Sequence, residues 1–326
     1  MTGADPLPAE FAFIARHFRP LAGPGALDLA DDAAAFAPPH GRLLVVAADA
    51  MVQGVHFLAD DPPETVGRKL LRVNLSDLAA MGAVPLGYLL TMARPRDLGE
   101  AWFAGLCDGL ACDQDTFGVH LLGGDTTVFS GVSAAPLVLS LTIIGHAAPG
   151  AILRRRGAQA GDGLWVTGSI GDAALGLAVL QGRLADPSGV LADRYRLPQP
   201  RLAFGAGLHG IAAAAIDVSD GLVQDCGHLC RQSDVTATIE AEAVPRSAAA
   251  LAAGPHWLET CLTGGDDYEL LIAVPEVNNA ALHALSARCG IAVTRIGGFA
   301  AGAPAVRVID PSGAAIMLSR TGWSHL

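Results

Sequence analysis

The chain has 326 residues, sets 21 lysines and arginines against 32 aspartates and glutamates for a formal charge of −11, and is 51% hydrophobic and 16% charged. Such a chain can bury a large core and divides naturally into two domains; a disordered chain or a general nucleic-acid binder needs the opposite balance. Lys69 is the sole lysine, and its setting, Gly67–Arg68–Lys69–Leu70, fits neither a Walker A loop nor the lysine-bearing strand of protein kinases.

In chain order, Phe11, Ile14, Ala15 and Phe18 recur at helical spacing over 8–18. Residues 43–48 read as a buried strand. Residues 64–82 read as a helix, with Leu71, Leu75, Leu78 and Gly82 on one face and Asn74, Asp77 and Met81 beside them. A helix is expected over 99–111 and a strand over 136–144. The Gly- and Pro-containing stretch 145–163 marks a domain boundary, giving halves 1–148 and 149–326. In the second half, strands are expected at 164–167, up to Val218, and at 236–240, 269–274, 291–296 and 305–309. Helices are expected near 171–182, 200–214, 221–232 and 276–289, with 184–200 a surface connection. Alternating strands and helices in both halves argue an α/β or α+β architecture.

Gly205–Ala–Gly207–Leu–His–Gly210 matches a dinucleotide-binding string. It follows a Pro-rich stretch instead of a strand, so small residues for close packing explain it better. The six cysteines include no CxxC pair. Reduced thiols in a cytoplasm fit a chain this hydrophobic, and Cys226–Gly–His228–Leu–Cys230 reads as two small apolar residues one helical turn apart. No apolar run reaches the ~18 residues of a membrane span, and no basic segment leads an apolar one at the N-terminus.

The acids cluster where elements break: Asp31–Asp32, Asp49, Asp77, Asp125, Asp217, Asp220 and Asp266–Asp267. One aspartate at a strand end is an ordinary turn former or cap. Several converging would repel one another unless cations held them. Hard oxygen donors favour Mg²⁺, which takes one or two carboxylates together with substrate phosphate oxygens. Two segments also echo each other: Asn74–Leu–Ser–Asp77 before Gly123–Gly124–Asp125, and Asp217–Val–Ser–Asp220 before Gly264–Gly265–Asp266. The separations of the paired aspartates, 48 and 46 residues, suggest two related halves. Paired glycines at 123–124 would let backbone N–H groups approach phosphate, and Arg154–Arg155–Arg156 is the one dense basic run.

Asn74–Leu–Ser–Asp–Leu–Ala–Ala–Met–Gly82, Gly123–Gly–Asp–Thr–Thr127, Asp217–Val–Ser–Asp–Gly–Leu222 and Gly264–Gly–Asp–Asp–Tyr–Glu–Leu270 together resemble the thiamine-phosphate kinase family. Val52–Gln–Gly–Val–His56–Phe and the terminal Gly322–Trp–Ser–His–Leu326 fit too, and the similarity runs from about Phe11 to the C-terminus. The ATP-binding frame is shared with aminoimidazole ribonucleotide synthetase, selenophosphate synthetase and a hydrogenase maturation factor; the His56 and Trp323 segments favour the thiamine member.

The resemblance implies a two-domain α/β fold. N-terminal halves would pair through a β-barrel in a homodimer, with ATP in a cleft between them and the C-terminal domains. It implies cytoplasmic transfer of phosphate from ATP to thiamine monophosphate, with neither nucleic acid nor membrane as a partner. Asp32, Asp49, Asp77, Asp125 and Asp217 would hold Mg²⁺, and Asp220 a further ion. Gly124, Asp125, Arg155 and Ser219 would meet ATP; His56, Asp266 and Trp323 would meet thiamine phosphate. No general base is expected. Three segments depart from the family. The usual Gly–Ile–Gly–Asp–Asp is here Asp28–Leu29–Ala30–Asp31–Asp32, the usual Ser–Thr–Asp–Thr is Ala47–Ala48–Asp49–Ala50, and the usual glutamate of the Gly–Gly–Glu–Asp run is Asp266. The alternatives are a sister enzyme of the superfamily and a non-catalytic binder of thiamine phosphates.

Overall fold

The computed structural model describes residues 9–129 and 135–324. The last two residues of the terminal motif, His325 and Leu326, lie outside them. Contacts divide the chain into two compact units. The first holds residues 1–74 and 85–146; the second holds 75–84 and 147–326, so the end of the second helix groups with the second unit.

The first unit runs α1 (Ala9–His17), β1 (Leu43–Val52), α2 (Pro63–Ala80), β2 (Val84–Arg94), α3 (Glu100–Phe117), β3 (His120–Val128) and β4 (Val138–Ala147). Its sheet has the order β1-β4-β2-β3. Val66, Leu70 and Leu71 of α2 and Phe103, Leu106 and Leu110 of α3 recur at helical spacing and are buried. Alternate residues of β4 and the Tyr88, Leu90 and Met92 series of β2 are buried as well.

Two strands here escape sequence reading. β2 opens on Val84–Pro85–Leu86–Gly87, which looks like a break, and β3 contains Gly123–Gly124–Asp125, which looks like a loop. Both are sustained by parallel pairing to each other, with a register shift between Tyr88 and Leu89. The expectation for 43–48 is also corrected. The strand forms, but Leu43, Leu44 and Val46 are exposed within the single chain.

The second unit adds β5 (Gly163–Thr167), α4 (Asp172–Leu180), α5 (Val190–Arg196), α6 (Leu202–Ala206), β6 (Ala214–Asp217), α7 (Leu222–Ser233) and β7 (Val235–Glu240). There follow α8 (Ala248–Ala252), α9 (Leu258–Thr263), β8 (Leu270–Val274), α10 (Asn279–Cys289), β9 (Val293–Ala301) and β10 (Ala305–Ile309). The six strands are ordered β10-β7-β9-β5-β8-β6, antiparallel except for β10 with β7.

This sheet is buried on both faces, and the period of two sorts its residues between two cores. Leu164, Val166, Ile216 and Leu271 enter one with Leu222, Cys226 and Cys230 of α7. Trp165, Ala215, Leu270 and Ile272 enter the other with Phe204, Leu282 and Leu285. The cysteine pair is therefore core, as the spacing suggested. A Cβ on Gly205 would lie 2.0 Å from the Ala79 carbonyl oxygen and one on Gly207 2.4 Å from Leu285, so close packing accounts for these two, while Gly210 serves a left-handed turn at φ 75°.

Two further expectations are corrected. The stretch 184–200 contains α5, whose Leu191 and Tyr195 are buried; flanking prolines and Gly189 disguise its seven residues. The long helix expected over 200–214 is only α6, since the chain turns at Gly207. The echoed segments also differ in structure. Asn74–Asp77 is helical and Asp217–Asp220 is a strand end with a turn, while Gly123–Asp125 is strand and Gly264–Asp266 is loop. The repetition therefore marks recurring acid-and-glycine chemistry and not a duplicated architecture.

Candidate functional site

In the second unit, β6 delivers Asp217 at its end, 5% exposed. Backbone pairing with the β8 side continues past the strands: Val218 N–H donates to Glu269 O, Tyr268 N–H to Val218 O and Asp266 N–H to Ser219 O, at 2.8, 2.8 and 2.9 Å. The Asp217–Asp220 and Gly264–Asp267 runs are thereby fixed side by side. Trp323 joins them through its own backbone. Its N–H donates to Asp220 O at 2.9 Å, and Gln224 Nε2 donates to Trp323 O at 2.7 Å and to Asp220 Oδ2 at 3.2 Å. The indole stays 47% exposed. The structure thus brings together Asp217, Ser219, Asp220, Asp266 and Trp323 out of the residues singled out from sequence.

Two side chains in this unit hold that cluster. Ser76 Oγ, buried on α2, donates to Asp217 Oδ2 at 2.7 Å; Asp77 follows it, half-buried. Asp225, in the first turn of α7, accepts the N–H groups of Ser219, Asp220 and Gly221 on one oxygen, at 3.0, 3.0 and 3.1 Å. Burial, and then the charges of Asp217 and Asp220, push the Asp225 carboxyl up to about 8, against the pull of the Asp220 and Gly221 amides. Asp267, neighbour of Asp266, turns away to accept from Gly171 N–H at 2.8 Å at the start of α4. Arg155 is exposed, and its carbonyl accepts from Ser233 Oγ at 3.1 Å. Burial and the charges of Arg231 and Arg155 lower the His228 pKa, against the opposing charge of Asp220.

The first unit carries the remaining candidates. Asp32 is exposed, in the bend after residues 27–29. Those three residues, Leu27, Asp28 and Leu29, all adopt left-handed φ, 51°, 57° and 54°. Asp28 therefore holds a glycine-like backbone at the place where the family carries glycine. Asp49 is exposed on β1, and its N–H donates to Asn74 Oδ1 at 3.0 Å. Asn74 is fully buried and anchored through Nδ2 to Leu70 O. His56 Nδ1 accepts from Val52 N–H at 3.1 Å. The sole lysine, buried, donates to His56 O at 2.9 Å and so fixes that turn.

Asp125 lies exposed on β3. The adjacent glycine has a structural reason of its own. Gly124 is in the ladder beside Leu90, and a Cβ there would lie 1.8 Å from Leu90 O; strand pairing requires it. A cavity of about 790 Å³ in this unit is lined by Phe13, Arg16, Arg94, Glu100, Phe103 and Thr126. It contains no sequence-predicted residue, although Thr126 directly follows Asp125.

Sequence reasoning missed Asn74, Ser76 and Asp225 as holders of the acids. The first two stand inside a motif already noticed, and the third had the signal of a carboxylate in a helix's first turn. Among the described residues, no three His, Cys, Asp or Glu side chains form a ready-made metal cage. Carboxylate oxygens suit Mg²⁺, which needs only one or two of them beside phosphate oxygens and water.

Comparisons with known proteins place the whole chain in a family. Residues 30–147 match the family model for AIR synthase related protein, N-terminal domain, and 159–309 match its C-terminal domain. The thiamine-monophosphate kinase of Caulobacter vibrioides is 42% identical, over 98% of this chain and 91% of its own length. The crystal structure of thiamine-monophosphate kinase from Stenotrophomonas maltophilia K279a superposes with a TM-score of 0.83 at 39% identity, covering 94% of this chain and 98% of that one. AaThiL, complexed with AMPPCP and TMP, superposes with a TM-score of 0.75 at 28% identity, covering 91% of each chain.

Proposed function

This chain belongs to the thiamine-monophosphate kinase family, and from that premise we propose that it moves the γ-phosphoryl group of ATP onto the phosphate of thiamine monophosphate. The products are thiamine diphosphate and ADP. The observation that carries this reading is the backbone-linked cluster of Asp217, Ser219, Asp220, Asp266 and Trp323, which sets metal-binding acids beside an exposed aromatic face. AaThiL, bound to AMPPCP and TMP, supplies the chemical precedent.

The nucleophile is a phosphate monoester oxygen. With a second pKa of about 6 it is already largely dianionic at neutral pH, so no side chain has to remove a proton. The difficulty is to bring two anions together in line, which positioning and opposite charge achieve. Asp32, Asp49, Asp77, Asp125, Asp217 and Asp220 would hold Mg²⁺, which supplies neutralising charge to the phosphates. Gly124, Asp125, Arg155 and Ser219 meet ATP in this reading, with the exposed Arg155 guanidinium on phosphate oxygens. His56 meets the substrate phosphate in this reading, its ring held by the Val52 N–H bond to Nδ1. Asp266 meets the same substrate, and the Trp323 indole faces its cationic thiazolium or its pyrimidine, a contact of roughly 1 kcal/mol.

The exposed Leu44 and Val46 of β1, with Leu89 of β2, support a homodimer in which a second copy covers the first unit's sheet. No helix among the described residues is long and apolar enough to cross a membrane, and the free cysteines suit a cytoplasmic setting. A coupled assay for ADP with thiamine monophosphate present or omitted tests the function. Thiamine-phosphate-dependent ADP release is expected. Tight binding of both ligands without ADP would identify a non-catalytic binder instead, and turnover only with a sister enzyme's substrate would reassign the chain.

A further inference from the structure

The loop Val218–Gly221 makes an unusual set of backbone bonds. Three successive amides, those of Ser219, Asp220 and Gly221, converge on one Asp225 oxygen at 3.0 to 3.1 Å. The carbonyls of Ser219 and Asp220 are taken by the N–H groups of Asp266 and Trp323. Both polar edges of the loop are thus consumed inside the cluster, and its shape is over-determined. Asp225 itself is buried at 2% exposure, too enclosed to serve as a ligand in place of Asp220.

An ordinary helix cap satisfies one or two amides at a helix start. Here the carboxylate reaches back to the loop ahead of α7, where two residues of the phosphoryl-transfer reading sit.

We infer that Asp225 is a positioning residue for phosphoryl transfer: it clamps the Ser219–Gly221 backbone so that Ser219 and Asp220 present a preformed surface to magnesium-bound nucleotide. The inference rests on the kinase reading, and its test separates the two. Outer-shell partners of metal ligands typically set affinity or activity by 10–100-fold.

The experiment compares full-length wild type, Asp225→Asn and Asp225→Ala. Amide hydrogen exchange at 219–221 in ligand-free wild type is expected to be slow. It should accelerate in Asp225→Ala and stay close to wild type in Asp225→Asn, whose amide oxygen keeps an acceptor. Calorimetric binding of a non-hydrolysable ATP analogue at fixed magnesium should weaken roughly 30-fold in Asp225→Ala and under about threefold in Asp225→Asn. The magnesium concentration giving half-maximal turnover should rise in parallel. Fast exchange at 219–221 in wild type would overturn the inference even if no alanine variant could be purified. So would unaltered analogue binding in a folded Asp225→Ala. A wild type that binds the analogue but never forms thiamine diphosphate would instead defeat the kinase reading, leaving the exchange result to judge the clamp alone.

Discussion

Each unit buries one carboxylate between two arginines, and the two triads do different work. In the first unit, Asp113 of α3 is fully buried against Arg68 and Arg72 of α2, with Nε–oxygen distances of 3.0 and 2.5 Å. The triad ties two helices through side chains, and it involves no residue assigned to ligand. In the second unit, Glu269, also fully buried, meets Arg194 at 2.8 Å, Arg201 at 2.6 Å and Thr167 Oγ1 at 2.7 Å. Its own carbonyl accepts from Val218 N–H, one residue past Asp217. The first triad supports a scaffold; the second couples its scaffold to the acid-bearing loop. The same chemical device can therefore report on stability alone or on stability and function together.

Breaking each triad is the strongest way to expose that contrast. Asp113→Asn and Glu269→Gln each take a fully buried carboxylate from two arginines, of which Arg72 is buried and Arg68, Arg194 and Arg201 are partly exposed, and each should cost about 3 kcal/mol in urea unfolding. Only Glu269→Gln should also lower activity per folded molecule, because its loop would lose its anchor. Equal specific activities of the two folded variants would refute the distinction. Next in size, Asp49→Asn and Asp125→Asn should each lose roughly 100-fold in turnover, about 2.7 kcal/mol, with melting temperatures unchanged since both side chains are exposed. Near-normal turnover in both would remove them from the metal set. A smaller effect is expected from Ser76→Ala, which deletes one hydrogen bond to a buried carboxylate. Roughly 1.5–3 kcal/mol should appear, as reduced stability or as a raised magnesium requirement, and a variant unchanged in both would show that Asp217 needs no orientation.

How much of this was legible in the sequence follows from the same contrast. The second unit's central strands could be read because β5, β6 and β8 are short apolar runs buried on both faces, as Leu270–Val274 shows. Several of the acids could be located because they follow apolar runs, as Asp217 does at the end of β6. β2 and β3 could not, because their pairing partner is supplied by tertiary structure and Gly124 is demanded by a neighbouring strand's carbonyl. The exposure of β1 was likewise hidden: an apolar run states that a face avoids water, not whether the same chain covers it. Asp267 was the least legible, since nothing local distinguishes a carboxylate that binds amides from one placed for metal; Asp225 carried only the signal of an acid in a helix's first turn.

Asp267 sharpens the comparison furthest, as a buried carboxylate whose nearest partners are amides and not arginines. It accepts from Gly171 N–H at 2.8 Å and, longer, from Ala173 N–H at 3.4 Å, with Asp172 adding like charge and Arg194 opposing it. Burial outweighs these bonds and raises its carboxyl well above the ordinary value of 3.8. Its neutral form is thus favoured in the folded state, while the unfolded chain ionises it from about pH 4 upward. Folding then takes up a proton, so this group's contribution is complete below pH 4 and is lost as pH rises through the folded-state value. The slope is at most about 1.4 kcal/mol per pH unit for one group. Asp267→Asn keeps an oxygen for Gly171 and cannot ionise. Its melting temperature relative to wild type should therefore improve steadily from pH 5 to pH 8. Parallel curves over that range would mean that the two amide bonds hold the carboxylate charged, and that arginines are not what separates a stable buried acid from a costly one.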